Sequence, residues 1–63
     1  MTPDGQIAEL QRRIAEIDAQ IAQLQTAHDE SVDFSERGRL EAQIASLVQT
    51  RQTLENALSN LQP

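Results

Sequence analysis

The sequence contains no cysteine, tryptophan or tyrosine, and it has one phenylalanine. Without cysteine, neither disulfide bridges nor thiolate metal sites can stabilise this chain of 63 residues. With one histidine, no cysteine and no glycine-rich phosphate loop, the sequence offers no nucleophile and base for an enzyme. We therefore expect a non-enzymatic protein with no cofactor and no metal site.

Long apolar runs and an excess of basic residues are also missing. No stretch approaches the length of a membrane span, and the start MTPDGQ lacks the basic flank and apolar core of a signal peptide. Ten acidic residues outnumber five arginines, and the formal charge of -5 opposes binding to DNA, RNA or an anionic membrane. These features predict a cytoplasmic protein without a nucleic-acid or membrane partner.

The residues that are abundant favour helices: nine glutamines, eight alanines, seven leucines and five isoleucines. In the first half, large aliphatic residues recur at alternating intervals of three and four, which is the a/d pattern of a coiled coil. They are Ile7, Leu10, Ile14, Ile17, Ile21 and Leu24. The second half resumes the pattern with one arginine among the aliphatics, in the set Leu40, Ile44, Leu47, Arg51, Leu54, Leu58 and Leu61.

The two halves are out of phase, because nine residues rather than seven separate the a positions at His28 and Arg37. A continuous coiled coil does not absorb a phase slip of two residues, so the chain is expected to fold back. Asp33 and Glu36 have the spacing of a capping box for a new helix. At the other end, Thr2-Pro3-Asp4 suits a helix start.

The sequence thus predicts an all-α fold, an antiparallel two-helix coiled-coil hairpin that associates further into a helical bundle. Residues 1–63 form one domain, with helix 1 at about 3–29, a turn at about 30–33 and helix 2 at about 34–62. The a and d residues of the two helices can be matched in layers whose residue numbers add to 68. Two of these layers contain a polar residue: Ile17 faces Arg51, and His28 faces Leu40.

His28 and Arg51 are therefore predicted to be polar positions in the core. Arg51 has Glu55 four residues away and Asp18 beside the opposite layer, so an ion pair at the edge of the seam is expected. Alternatively, such a polar position fixes the register or the oligomeric state.

A second stripe of small side chains widens the apolar surface beyond the seam. Since a lone hairpin of this size is marginally stable, we expect another helix to pack on this stripe. The predicted interface residues are Ala8, Ala15, Ala19, Ala22, Ala45 and Val48.

Every arginine has an acidic residue at helical spacing and is expected to form a local ion pair. The expected pairs are Arg12 with Glu16, Arg13 with Glu9, Arg37 with Asp33 or Glu41, Arg39 with Glu36, and Arg51 with Glu55. An alternative is that some of these side chains hold an anionic ligand such as a nucleotide, with an aromatic ring to stack on a base. That site would comprise Phe34, Arg37, Arg39 and Arg51.

The function expected from these features is protein-protein interaction. The chain would self-associate, or would mask or scaffold a helical segment of a partner protein, as an adaptor, co-chaperone or small inhibitor does. In length and layout it is similar to the small hairpin co-chaperones of type III secretion, although the two share no motif. The turn SVDFSERG also lacks the tryptophan motif common in helical-hairpin secretion substrates. The alternative function is an oligomeric binder of an anionic ligand.

Overall fold

A computed structural model describes residues 3–62. Helix α1 spans Pro3–Glu30 and helix α2 spans Phe34–Leu61, and the two lie against each other. The predicted all-α helical hairpin is confirmed, and the described residues contain no strand. Helix α1 ends one residue later and α2 one residue earlier than expected. The cap expected at Thr2 lies outside the described residues.

The two ends of α1 differ in how their charges suit the helix dipole. Asp4 lies in the first turn, where backbone N–H groups leave partial positive charge, whereas Asp29 and Glu30 place negative charge in the last turn, where it is unfavourable. The helix closes with the backbone N–H of Ser31 donating to the carbonyl of His28 at 3.3 Å, a tighter turn than the α-helical one. This contact ends α1 immediately before the loop.

Asp33 caps α2, but the expected capping box with Glu36 does not form. Asp33 has extended backbone angles, and its side chain accepts a hydrogen bond from the backbone N–H of Ser35 at 3.0 Å. Its own N–H, which Glu36 would have bound, instead donates to the hydroxyl of Ser31 at 3.3 Å. The predicted capping box was wrong because the hydroxyl of Ser31, two residues away in the loop, already accepts the hydrogen bond from that N–H group.

The seam follows the predicted layers. Every a and d position from Ile7 to Leu61 is half-buried, with the exception of Arg37, which lies in the first turns of α2 and is exposed. Two contacts between the helices identify the register: Arg51 of α2 bonds Asp18 of α1, and His28 of α1 lies against Glu41 of α2. Both contacts join neighbours in a register whose layers add to 68, and neither fits a hairpin slipped by one heptad.

No described residue is buried, because each helix contributes one stripe to a single seam and the rest of its surface faces water. The hairpin measures 47 × 16 × 14 Å, and its radius of gyration is 14.6 Å. A compact domain of this length would have a radius of gyration of about 10.6 Å. The accessible surface is 4676 Å², whereas a monomer of 7.0 kDa exposes about 4,000 Å². The molecule is thus unusually open for its mass.

Within residues 3–62, neither helix has a segment apolar enough and long enough to cross a membrane.

Candidate protein-interaction surfaces

The hairpin has two long faces, one on each side of the seam. On one side, a shallow groove near the loop is lined by seam residues together with residues at heptad positions b and e, which are Gln25, Asp29, Glu41 and Ala45. On the other side, near the open end, Gln6, Glu9 and Arg13 line a second groove, at positions c and g. Positions b and e of both helices therefore share one face, and positions c and g share the other.

Five of the six predicted interface residues share the first of these faces. Ala8, Ala15 and Ala22 occupy position b of α1, and Ala45 and Val48 occupy positions b and e of α2. We call these five residues the alanine face. All five are exposed in the isolated hairpin, and Val48 retains 49% of its surface. The sixth, Ala19, is at position f, about 40° around the helix from position b, so it lies at the outer edge of this face and points away from the seam.

Arg51 joins the two helices through a three-residue ion cluster on the same side as the alanine face. Its Nε donates to Asp18 Oδ1 of α1 at 2.5 Å, and its Nη1 lies 2.6 Å from Glu55 Oε1 on α2. The hydrogen bond with Asp18 raises the pKa of Arg51 above its ordinary value. The guanidinium side chain is 37% exposed, so it lies at the edge of the seam as predicted and keeps contact with water.

His28 forms the second polar contact between the helices. Its side chain is 18% exposed, and its Nε2 lies 2.8 Å from Glu41 Oε1 on α2. Because an ionised carboxylate only accepts hydrogen bonds, this contact requires a proton on Nε2. The other ring nitrogen, Nδ1, lies 3.5 Å from Asp29 Oδ1. The imidazole therefore joins the helices at the last layer before the loop.

The ion pairs near the open end lie along α1 alone. Arg12 bonds both Glu9 and Glu16, at 2.7 and 2.9 Å, and Arg13 bonds Glu9 at 3.0 Å. Hydrogen bonds from Arg12 and then Arg13 lower the pKa of Glu9 below its ordinary value. The expected pairs of Arg12 with Glu16 and of Arg13 with Glu9 are confirmed, as is that of Arg51 with Glu55.

The expected ion pairs of Arg37 and Arg39 do not form. Within residues 3–62, neither guanidinium has a carboxylate partner, because Asp33 caps the helix and Glu41 turns to His28. Beside these arginines lie two exposed apolar side chains, Val32 at 101% and Phe34 at 91% of their full surface.

The four residues of the alternative anion site do not come together. Phe34 and Arg37 line one small depression, with Gly38 and Glu41. Arg51 lies 14 residues further along α2 than Arg37, about 21 Å away, and is bound to Asp18. The depression with Phe34 thus contains Arg37 but neither Arg39, which lies two residues further around the helix, nor Arg51.

Two residues that shape these surfaces were missed in the sequence. Glu41 is one of the two ion-pair partners predicted for Arg37, with Asp33. The layer formed by His28 and Leu40 also places Glu41 next to the imidazole. Val32 received no role, since an isolated valine in a loop carries no pattern. Within the described residues there is no group of three or more side chains that could hold a metal ion.

Comparisons with protein-family models, with curated proteins and with solved structures find no match for this chain. The properties of its surfaces are therefore the basis for a functional assignment.

Proposed function

We propose that this chain is a non-enzymatic protein-protein interaction module that associates with itself, or covers a helical segment of a partner protein. The observation that carries the proposal is the absence of any buried side chain among the described residues of the hairpin. A single half-exposed seam gives little stabilisation against the entropy of ordering the chain. Further burial from another helical surface would offset that cost.

The exposed surface supports the same proposal. The hairpin exposes 4676 Å², against the roughly 4,000 Å² of an average monomer of its mass. The alanine face contributes to this excess with side chains small enough for another helix to approach closely. His28, the one imidazole in the sequence, already contacts Glu41, and the groove beside it is open to solvent. This arrangement suits contact with a protein better than catalysis on an enclosed substrate.

Thermal unfolding at several protein concentrations tests self-association. If folding is coupled to association, a hundredfold increase in concentration raises the melting temperature by several degrees, through mass action. Sedimentation equilibrium over the same range gives the mass of the species that melts. A melting temperature independent of concentration, with a monomer mass throughout, would exclude self-association. The proposal would then be restricted to binding a helical segment of a partner protein.

Binding of a small anionic ligand at the tip is the second candidate function. It is favoured by the guanidiniums of Arg37 and Arg39, which have no carboxylate partner within residues 3–62, and by the exposed ring of Phe34. The nearby carboxylates of Asp33, Glu36 and Glu41 oppose it, since they repel an anion. Arg51 takes no part in this second candidate.

Melting in the presence of inorganic phosphate or of nucleoside triphosphates tests the second candidate. A bound anion raises the melting temperature at fixed protein concentration, and the rise disappears in a variant with Arg37→Gln and Arg39→Gln. Arg51→Gln is the matched control, because it removes the same group outside the tip. An equal shift in both variants would indicate a general salt effect.

A further inference from the structure

The alanine face and the opposite face differ in how their charges are distributed. In the part of the hairpin that lies between Ala8 and Ala45 along its long axis, the charged residues beside the alanine face are Asp18 on α1 and Arg51 and Glu55 on α2. Those on the opposite face are Glu9, Arg13 and Glu16, which all belong to α1. Only the alanine face therefore presents both signs of charge at one level, on two different helices.

The area of this face matches the size of a stable protein interface. A hairpin of 47 by 16 Å offers a footprint of about 750 Å², and typical stable interfaces bury about 800 Å² per partner. A single added helix, about 10 Å wide, would cover a smaller part of it. A second hairpin of the same length and width would cover it completely.

Charge complementarity selects the orientation of a second hairpin. If the two loops lie at the same end, each α1 packs over α2 of the other copy, and Asp18 faces Arg51 of the second copy. If the loops lie at opposite ends and the hairpins overlap fully, Asp18 faces Asp18 and Arg51 faces Arg51. At the middle of the face, the first arrangement pairs opposite charges and the second places like charges together. Near the loops, the first arrangement also brings Asp29 and Glu41 of the two copies together, but these side chains are 81% and 67% exposed, so water and salt screen their repulsion.

The apolar residues also favour the first arrangement. Ala22 lies at nearly the same level as Val48 and Ala45, as the register of the hairpin requires. When α1 packs over α2 of the second copy, small Ala22 faces larger Val48, which allows the side chains to interdigitate.

We infer that a second copy of this chain covers the alanine face, with both loops at the same end and Arg51 placed between Asp18 of its own chain and Asp18 of the second copy. The inference rests on the proposed self-association and specifies its surface and orientation. The product is a four-helix bundle of two hairpins.

A matched pair of substitutions tests the surface. Ala22→Glu places a charge in the covered face, so the dissociation constant should rise by roughly a hundredfold. Ala19→Glu adds the same side chain to the same helix, three residues away at position f, and should change the constant by less than about threefold. Helicity of both variants, measured at high concentration by circular dichroism, checks that α1 still folds. Equal effects of the two variants would overturn the assignment of the surface.

The distance between equivalent spin labels on the two copies tests the orientation. The labelled positions lie outside the alanine face, so the labels leave the interface unaltered. A spin label at Ser35→Cys lies at the loop end, and one at Gln6→Cys lies at the open end. With the loops together, both labels should give distances between copies within about 25 Å. With the loops opposed, each label should give about 45 Å, close to the full length of the hairpin.

The outcomes separate this inference from the proposed function. A monomer at all concentrations would contradict self-association itself. An oligomer with long distances at both labels, or one that tolerates Ala22→Glu, would overturn only the surface and orientation inferred here.

Discussion

At the scale of single residues, Arg51 interrupts an otherwise aliphatic seam. Its guanidinium bonds Asp18 and Glu55 while it is 37% exposed, so water weakens these ion pairs. Leucine at this position would pack against Ile17 and continue the apolar seam. We expect Arg51→Leu to raise the melting temperature by a few degrees, because burial of the added apolar surface exceeds the loss of half-exposed ion pairs.

The same substitution should loosen the orientation of two associated copies. Without Arg51, only the apolar contact of Ala22 with Val48 distinguishes loops at the same end from loops at opposite ends, and the spin-label distance at Ser35→Cys should broaden. Arg12→Leu is the control, since it removes an arginine from an exposed position away from the seam. A lower melting temperature for Arg51→Leu at equal concentration would show that the ion cluster stabilises the hairpin more than a leucine does.

The ion pairs of Glu9, near the open end of α1, should make the stability of the hairpin depend on pH. Hydrogen bonds from Arg12 and Arg13 lower its pKa in the folded state. A lowered pKa means that Glu9 stabilises the fold above its unfolded pKa of about 4.5, and that this contribution is lost as pH falls through the folded-state pKa.

Glu9→Gln should therefore melt at a lower temperature than the parent chain at neutral pH, and the two should converge once the pH falls below the lowered pKa of Glu9. Glu36→Gln serves as the control for a carboxylate without an ion pair within residues 3–62, and it loses only the helix-dipole contribution of an acidic residue in the first turn of α2. A difference between Glu9→Gln and the parent that persists at low pH would show that the carboxylate charge is not its source.

At the scale of helices, Asp33 determines where α2 begins. Its side chain satisfies the N–H of Ser35, and its carbonyl accepts the N–H of Arg37 at 3.0 Å. Asp33→Ala should destabilise the hairpin by about 1 kcal/mol, which lowers the melting temperature by about 4–8 °C in a domain of this size. Asp33→Asn retains the accepting oxygen and should melt close to the parent chain. Equal losses in both variants would mean that the charge, rather than the hydrogen bond, is what matters.

At the scale of the whole molecule, the length of the hairpin distinguishes the possible assemblies. A folded-back chain has a radius of gyration of 14.6 Å, whereas one straight helix of the same chain would be about 90 Å long, with a radius of gyration of about 26 Å. Two hairpins packed side by side should double the mass while the longest dimension stays near 50 Å. Small-angle X-ray scattering across a dilution series measures both quantities. A longest dimension near 90 Å at dimer mass would contradict side-by-side packing.

The sequence by itself determined the helices, the fold-back and the register. The 3-4 spacing from Ile7 to Leu24, the same spacing after Leu40 and the two-residue phase slip between them are local patterns, and they determine which aliphatic side chains face each other in the seam. The half-exposed position of the Arg51 side chain also follows from this pattern, because the guanidinium of an arginine in a seam must extend toward water.

The tertiary structure decided which polar groups pair and which small residues share a face. Glu41 could reach either Arg37 or His28 by spacing, and only the approach of α1 directs it to His28. Ala19 and Ala22 are equivalent as alanines in a helix, yet the placement of α2 puts only Ala22 on the alanine face. These outcomes depend on the position of the second helix, because helical periodicity orders the residues around one helix axis and does not specify the contacts that each side makes in space.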